Sequence, residues 1–168
     1  MVTSGIILGI DPGTTSIGYA AIERDRKPIL REAGLIKITD QSAPARLKKL
    51  HYEILELIKK WKPEFMATER LFFAKNAKTA MAVSEARGVI LLTSSLAGIN
   101  VLEYTPLEVK KAVTGDGKAD KIQVKKMVQL VLPETATLKA QDDVFDAIAL
   151  ALTGYYQSHF LSMKKVEK

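Results

Sequence analysis

Cysteine is absent from the 168 residues, which removes thiol nucleophiles, disulfides and thiolate-held metals from consideration. Histidine occurs only at His51 and His159. The first falls within an amphipathic stretch and the second near the end of the chain, so both are poor candidates for catalysis. No apolar run approaches the roughly 18–20 residues that a membrane span needs, so no membrane partner is expected. The stretch "SGIILGI" near the start lacks a basic region before it and reads as a core strand, not a signal peptide. These absences point to the cytoplasm. There is also no internal repeat and no low-complexity linker. The apolar share is 47%, enough to build a core and too much for a disordered chain. One well-buried domain fits this length.

The charge balance is 25 Lys and Arg against 19 Asp and Glu, a formal +6. A basic excess suits a polyanionic partner, because Lys and Arg supply most non-specific affinity for phosphate backbones. Its distribution is more informative. Between Thr105 and Lys126 lie six lysines (110, 111, 118, 121, 125, 126) against three acids, Glu108, Asp116 and Asp120. Any one of these lysines could equally belong to a solvated face.

Periodicity divides the chain into elements. Ile6 to Ile10 is a β-branched run that ends at Asp-Pro-Gly, which suits a central strand buried on both faces. "SIGYAAIER" and "PILREAGLIKI" read as the next two strands of a meander. Leu47, Leu50, Ile54, Leu57, Ile58 and Trp61 recur at helical spacing after Ser42-Ala43-Pro44, predicting a helix over 43–61 that Pro63 stops. "EFMATE" and "INVLEY" read as strands four and five, separated by a helix over 79–97. A short helix follows Thr105-Pro106, another spans 120–132, and a largely apolar one covers 142–156. Three strands followed by alternating helices and strands predict an α/β domain with a mixed five-stranded sheet and helices on both faces. The domain is expected over 1–157, with a basic tail over 158–168.

Acids occur where a core is expected. Asp11 ends the first strand, Glu69 ends the fourth, and Asp142, Asp143 and Asp146 open the last helix. Residues 143 and 146 share a helical face, as do 142 and 146. Crowded carboxylates repel, and a cation between them removes the repulsion. Hard oxygen ligands suit Mg²⁺, and two such ions about 3.5–4 Å apart can activate water and stabilise a leaving oxygen in phosphodiester hydrolysis. Each acid also has a plainer reading, as a helix cap or a solvated strand end. The segment "GIDPGTTS" has a second reading as the phosphate loop of a sugar kinase or actin-like ATPase. That reading needs a second Asp-x-Gly loop and a glycine-rich adenosine segment, and the sequence has neither.

Four blocks in order resemble the RuvC family of Holliday-junction resolvases, within the retroviral-integrase and RNase H superfamily. They are "ILGIDPGTTSIGYA", "ERLFFAKNAKTAMAVSEARG" from Glu69, "EYTPLEVKKAVTGDGKADKIQV" from Glu103, and "DDVFDAIALAL" from Asp142. The resemblance covers about residues 4 to 157. It implies an RNase H-like fold and a catalytic, metal-holding set of Asp11, Glu69, Asp143 and Asp146. Some family members have histidine where Asp143 stands, and Asp142 falls beside the motif. It implies DNA contacts from Phe72, where members stack an aromatic at the junction point, and from Lys110 and Lys121 near the scissile phosphate; Phe73, where members often have a different apolar residue, is the second candidate for the stack. An exposed phenylalanine stacked on an unpaired base is worth roughly 1–3 kcal/mol; the other reading of the Phe pair is core packing. Lys75, Lys78 and Arg87 could extend the basic DNA-binding surface.

The activity implied is a structure-specific endonuclease of recombination and repair that makes paired, symmetric nicks in four-way DNA junctions. It would use Mg²⁺-activated water and two ions per site, with Mn²⁺ as a substitute. The implied partners are the junction DNA, a second copy of the chain in a homodimer, and branch-migration helicase proteins of RuvA and RuvB type. The small-residue helix over 79–97 supplies a candidate interface, since a two-fold junction calls for two symmetric sites. The alternatives are another RNase H-like nuclease (YqgF-like or an RNase H), a non-catalytic nucleic-acid binder, and the kinase-like ATP-binding domain.

Overall fold

The chain is described by a computed structural model that covers residues 5–40, 42–70, 77–138 and 141–166. Five strands form one sheet: β1 (Gly5–Asp11), β2 (Ser16–Arg24), β3 (Pro28–Lys37), β4 (Phe65–Glu69) and β5 (Asn100–Tyr104). Their order is β3-β2-β1-β4-β5. The first three strands pair antiparallel, and β1–β4 and β4–β5 pair parallel. The expected mixed sheet is therefore present, with β1 at its centre. The helices are α1 (Ala43–Trp61), α2 (Ala77–Leu96), α3 (Pro106–Thr114), α4 (Lys121–Val131) and α5 (Asp142–Val166), with a 3₁₀ turn over Pro133–Thr137.

Strand alternation splits the core in two. On β1, Leu8 and Ile10 face α1 and α2 and join Ile17, Met66, Leu50, Ile54 and Ile90. Ile7 points to the other face and joins Ala20, Ile22 and Ala67 against Phe145, Ile148 and Leu152 of α5. A central strand buried on both sides has to be apolar throughout, which is why "IILGI" shows no period of two. Burying each large aliphatic side chain here contributes on the order of 1.5–3 kcal/mol.

The helix ends follow local chemistry. The Ser42 hydroxyl accepts from the Ala45 amide at 3.4 Å, and Lys62 closes α1 in the left-handed region at φ 45°. Thr105 and Glu108 form a reciprocal capping box on α3, as Asp120 and Gln123 do on α4. Each box satisfies two amides that a helix start leaves without partners.

The elements lie within a residue or two of expectation, with one exception. α5 does not stop at Tyr156 but continues to Val166, through the segment read as a tail. That segment contains no proline or glycine to end the helix, and a run of lysines near a helix C-terminus is compatible with the helix dipole. Among the described residues no helix is long and apolar enough to cross a membrane.

Candidate active site

The site is built on the last rung of β1. In the parallel β1–β4 ladder Ile10 lies beside Thr68, so Asp11 and Glu69 occupy the next rung. They fall on the same face as Ile7 and Ala67, toward α5. Two adjacent parallel strands thus end in a carboxylate on one face.

α5 crosses that face at close range because glycine lines the strands beneath it. Gly18 pairs with Asp11 across the β1–β2 ladder, and a Cβ built on Gly18 would sit 1.9 Å from the Asp143 carbonyl oxygen. A Cβ on Gly9 would sit 2.2 Å from the carbonyl of Ala147. The helix backbone therefore rests on strand backbone, where any side chain would hold it away. This contact brings the first turn of α5, with Asp143 and Asp146, over the end of β1. Neither glycine stood out in the sequence. The signal they carry is one glycine two residues before the strand-terminal acid and another opposite that acid on the next strand.

The acids feel one another. Asp11 is pushed up from an ordinary 3.8 to about 8, first by loss of water and then by the charges of Asp146, Glu69 and Asp143, against a weaker opposing pull from Lys121. Glu69 is also raised, by burial and then by Asp146, with Lys121 opposing. Lys121 at the start of α4 reaches Asp146 at 3.2 Å. Its own proton is held more tightly than usual, chiefly by the Asp146 charge. The Asp143 carboxylate accepts from the Ser16 hydroxyl at 2.8 Å. Asp142, adjacent to these acids, is exposed.

A cavity of about 350 Å³ opens beside the acids. Glu69 and Asp146 line it together with Lys110 of α3, Lys121, and the apolar Pro106, Val109, Val124, Ala149 and Leu150. The two lysines singled out in the sequence thus come from different helices to one wall of an acidic cleft. Arg87 does not join this surface; its guanidinium binds Glu103 and ties α2 to β5. His51 lies on the far side of the sheet, its Nδ1 sharing a hydrogen bond of 2.8 Å with the Thr93 hydroxyl, a packing role. Phe72, Phe73 and Lys75 lie outside the described residues, as do the side chains of Lys78 and His159.

Four neighbouring carboxylates, of which the buried Asp11 and Glu69 hold their protons more tightly than usual, are a hard-oxygen donor set suited to a divalent cation of the Mg²⁺ type. As the side chains stand, no three of the described His, Asp and Glu groups converge into a ready metal cage. Asp146 is drawn to Lys121 and Asp143 to Ser16. The donor chemistry fits such a cation, and Mg²⁺ characteristically takes only one or two protein carboxylates with water and substrate oxygens completing its shell.

A family model described as Crossover junction endodeoxyribonuclease RuvC matches residues 7–154, which include all four acids and both cleft lysines. The chain belongs to the RuvC family. A RuvC from Desulforamulus reducens is 49% identical over 152 residues, 88% of this chain and 91% of the relative. One from Alkaliphilus metalliredigens is 42% identical over 164 residues, 96% and 99% of the two chains. The structure of Thermus thermophilus RuvC in complex with Holliday junction substrate matches with a TM-score of 0.83 at 32% identity, over 92% of this chain and 96% of that one. The yeast mitochondrial Holliday junction resolvase Ydc2, 15% identical with a TM-score of 0.69, shares the fold. The RNase H-like architecture expected from the sequence is the one this RuvC-family chain adopts.

Proposed function

We propose that this chain resolves Holliday junctions as a divalent-metal endonuclease, cutting two opposed strands of a four-way DNA junction. What carries the reading is the grouping of Asp11, Glu69, Asp143 and Asp146 over the end of β1, opposite Lys110 and Lys121. Acids from two strands and one helix, buried and then crowded enough to hold Asp11 near a pKa of about 8, are costly to a fold without a cation. The lysines give the same cleft an affinity for phosphate.

Asp11, Glu69, Asp143 and Asp146 are the residues that would hold Mg²⁺, with Mn²⁺ as a substitute. When bound, a pair of such ions supplies a water activated for attack and a counter-charge for the leaving 3′ oxygen. The protein's part is positioning. The strand ends fix Asp11 and Glu69, and the glycine-seated α5 fixes the other two. Lys110 and Lys121 place a phosphate by point-charge contacts that read no sequence. Water as nucleophile leaves 5′ phosphates and ligatable 3′ hydroxyls, with no covalent protein–DNA intermediate.

A four-way junction has two-fold symmetry, and an isologous dimer offers two matching sites. The exposed Leu92 and Leu96 of α2, at 59% and 73%, give that helix an apolar outer edge of the kind a dimer covers. Branch-migration proteins of RuvA and RuvB type and a cytoplasmic setting complete the proposal.

The test is incubation with a mobile four-way junction, a linear duplex and an RNA–DNA hybrid, each with Mg²⁺ and with EDTA. Symmetric, ligatable nicks in the junction alone, abolished by EDTA and by Asp11→Asn with junction binding retained, are expected. Cleavage of the hybrid instead would assign an RNase H activity, and full activity of Asp11→Asn would refute the site.

A further inference from the structure

The bond from Ser16 to Asp143 has no role in the proposal above, and its placement is specific. Ser16 is the first residue of β2, beyond the rung where Gly18 faces Asp11. By strand alternation its side chain shares the α5 face with Gly18, Ala20 and Ile22. The turn after Asp11 thus returns the chain so that a hydroxyl stands under the first turn of α5. There it donates to one carboxylate oxygen of Asp143 at 2.8 Å. Among the described residues that carboxylate has no other side-chain hydrogen bond.

The two helix acids are therefore held by partners of different kinds. Asp146 faces the ammonium of Lys121, which offsets its charge. Asp143 faces a neutral donor, which fixes a rotamer and leaves the charge in full. A neutral hydrogen bond to one oxygen of a ligating carboxylate orients the other, and such supporting partners are typically worth 10–100-fold in metal affinity or activity.

We infer that Ser16 is a positioning residue for the metal site, its hydroxyl aiming the second oxygen of Asp143 at a divalent cation. This rests on the reading of Asp143 as a ligand. The serine does not touch the reacting atoms; it acts through Asp143.

Mn²⁺ binding to the full-length protein, followed by electron paramagnetic resonance without DNA, is a readout independent of cleavage. Ser16→Val, which removes the hydroxyl and suits a strand, should weaken Mn²⁺ binding by about tenfold or more. Ser16→Thr, which keeps a hydroxyl, should recover most of it. In an Asp143→Asn background Ser16→Val should add nothing further, and Tm without metal should match among the three Ser16 forms to show that folding is intact. Unchanged affinity in Ser16→Val, or equal weakening in Val and Thr, overturns the positioning role. If Asp143→Asn itself binds Mn²⁺ like the parent, the ligand reading fails instead, so the two failures are separable.

Discussion

Replacing Asp11 by asparagine should stabilise the protein at neutral pH in EDTA, the reverse of what most substitutions at a buried polar position do. In the folded chain Asp11 binds its proton up to about pH 8, against an ordinary 3.8. Unfolding restores the ordinary value. Between those limits the native state holds one proton more than the unfolded state, so stability falls as pH rises. The slope from this one group is about 1.4 kcal/mol per pH unit, or roughly 3 kcal/mol between pH 5 and pH 7. Glu69 is raised in the same direction and adds to the fall.

Asparagine keeps the size of the side chain and never ionises, so the variant loses the Asp11 share of the slope. The assay is urea unfolding at pH 5, 6 and 7, followed by fluorescence of the single tryptophan. Trp61 ends α1, and its Nε1 donates to Glu32 at 3.0 Å, an environment that unfolding destroys. The quantity to compare is parent minus variant, which removes the contribution of every titrating group that does not interact with Asp11. The advantage of Asp11→Asn over the parent should be about 1–2 kcal/mol at pH 5 and should grow by on the order of 3 kcal/mol by pH 7. Added Mg²⁺ should restore the parent at pH 7 by binding the ionised acids and do far less for the variant. A difference that is constant with pH, or a variant less stable than the parent at pH 7, would refute the account of crowded carboxylates.

Gly18→Ala places a methyl 1.9 Å from the Asp143 carbonyl, so α5 must lift; a loss of about 1–3 kcal/mol and of junction cleavage is expected, and a parental Tm with full activity would contradict the seating of the helix. Asp120→Ala removes the capping box on α4 and should cost about 1 kcal/mol in urea unfolding, with weaker junction binding because Lys121 begins that helix. Junction affinity should fall steeply with salt, and Lys110→Gln and Lys121→Gln should each reduce the slope of log K against log salt by about one. A slope unchanged in both would remove these lysines from the phosphate contacts.

Much of the fold could be read directly. Two-face burial of Ile6–Ile10, the period of Leu50, Ile54 and Ile58, and the helix entries at Ser42 and Thr105 are local signals, set within a few residues of one another. The end of α5 was less legible, because a lysine-rich stretch without proline or glycine suits a solvated tail and a last helical turn equally. Arg87 illustrates a different limit. A basic residue in a basic protein looks like part of a DNA surface until the fold places Glu103 beside it.

For the site, sequence alone indicated which acids to consider, on which element ends and with which lysines, and it carried the motifs of the family. Residue type and strand or helix position are local properties, and they suffice for that. Only the tertiary structure decided how those acids meet. Gly9 and Gly18 let one backbone rest on another, Lys121 chooses Asp146, and Ser16 reaches an aspartate 127 positions away. Such contacts depend on the distance between α5 and the sheet, which is fixed by what both faces of the core bury and by no single stretch of chain.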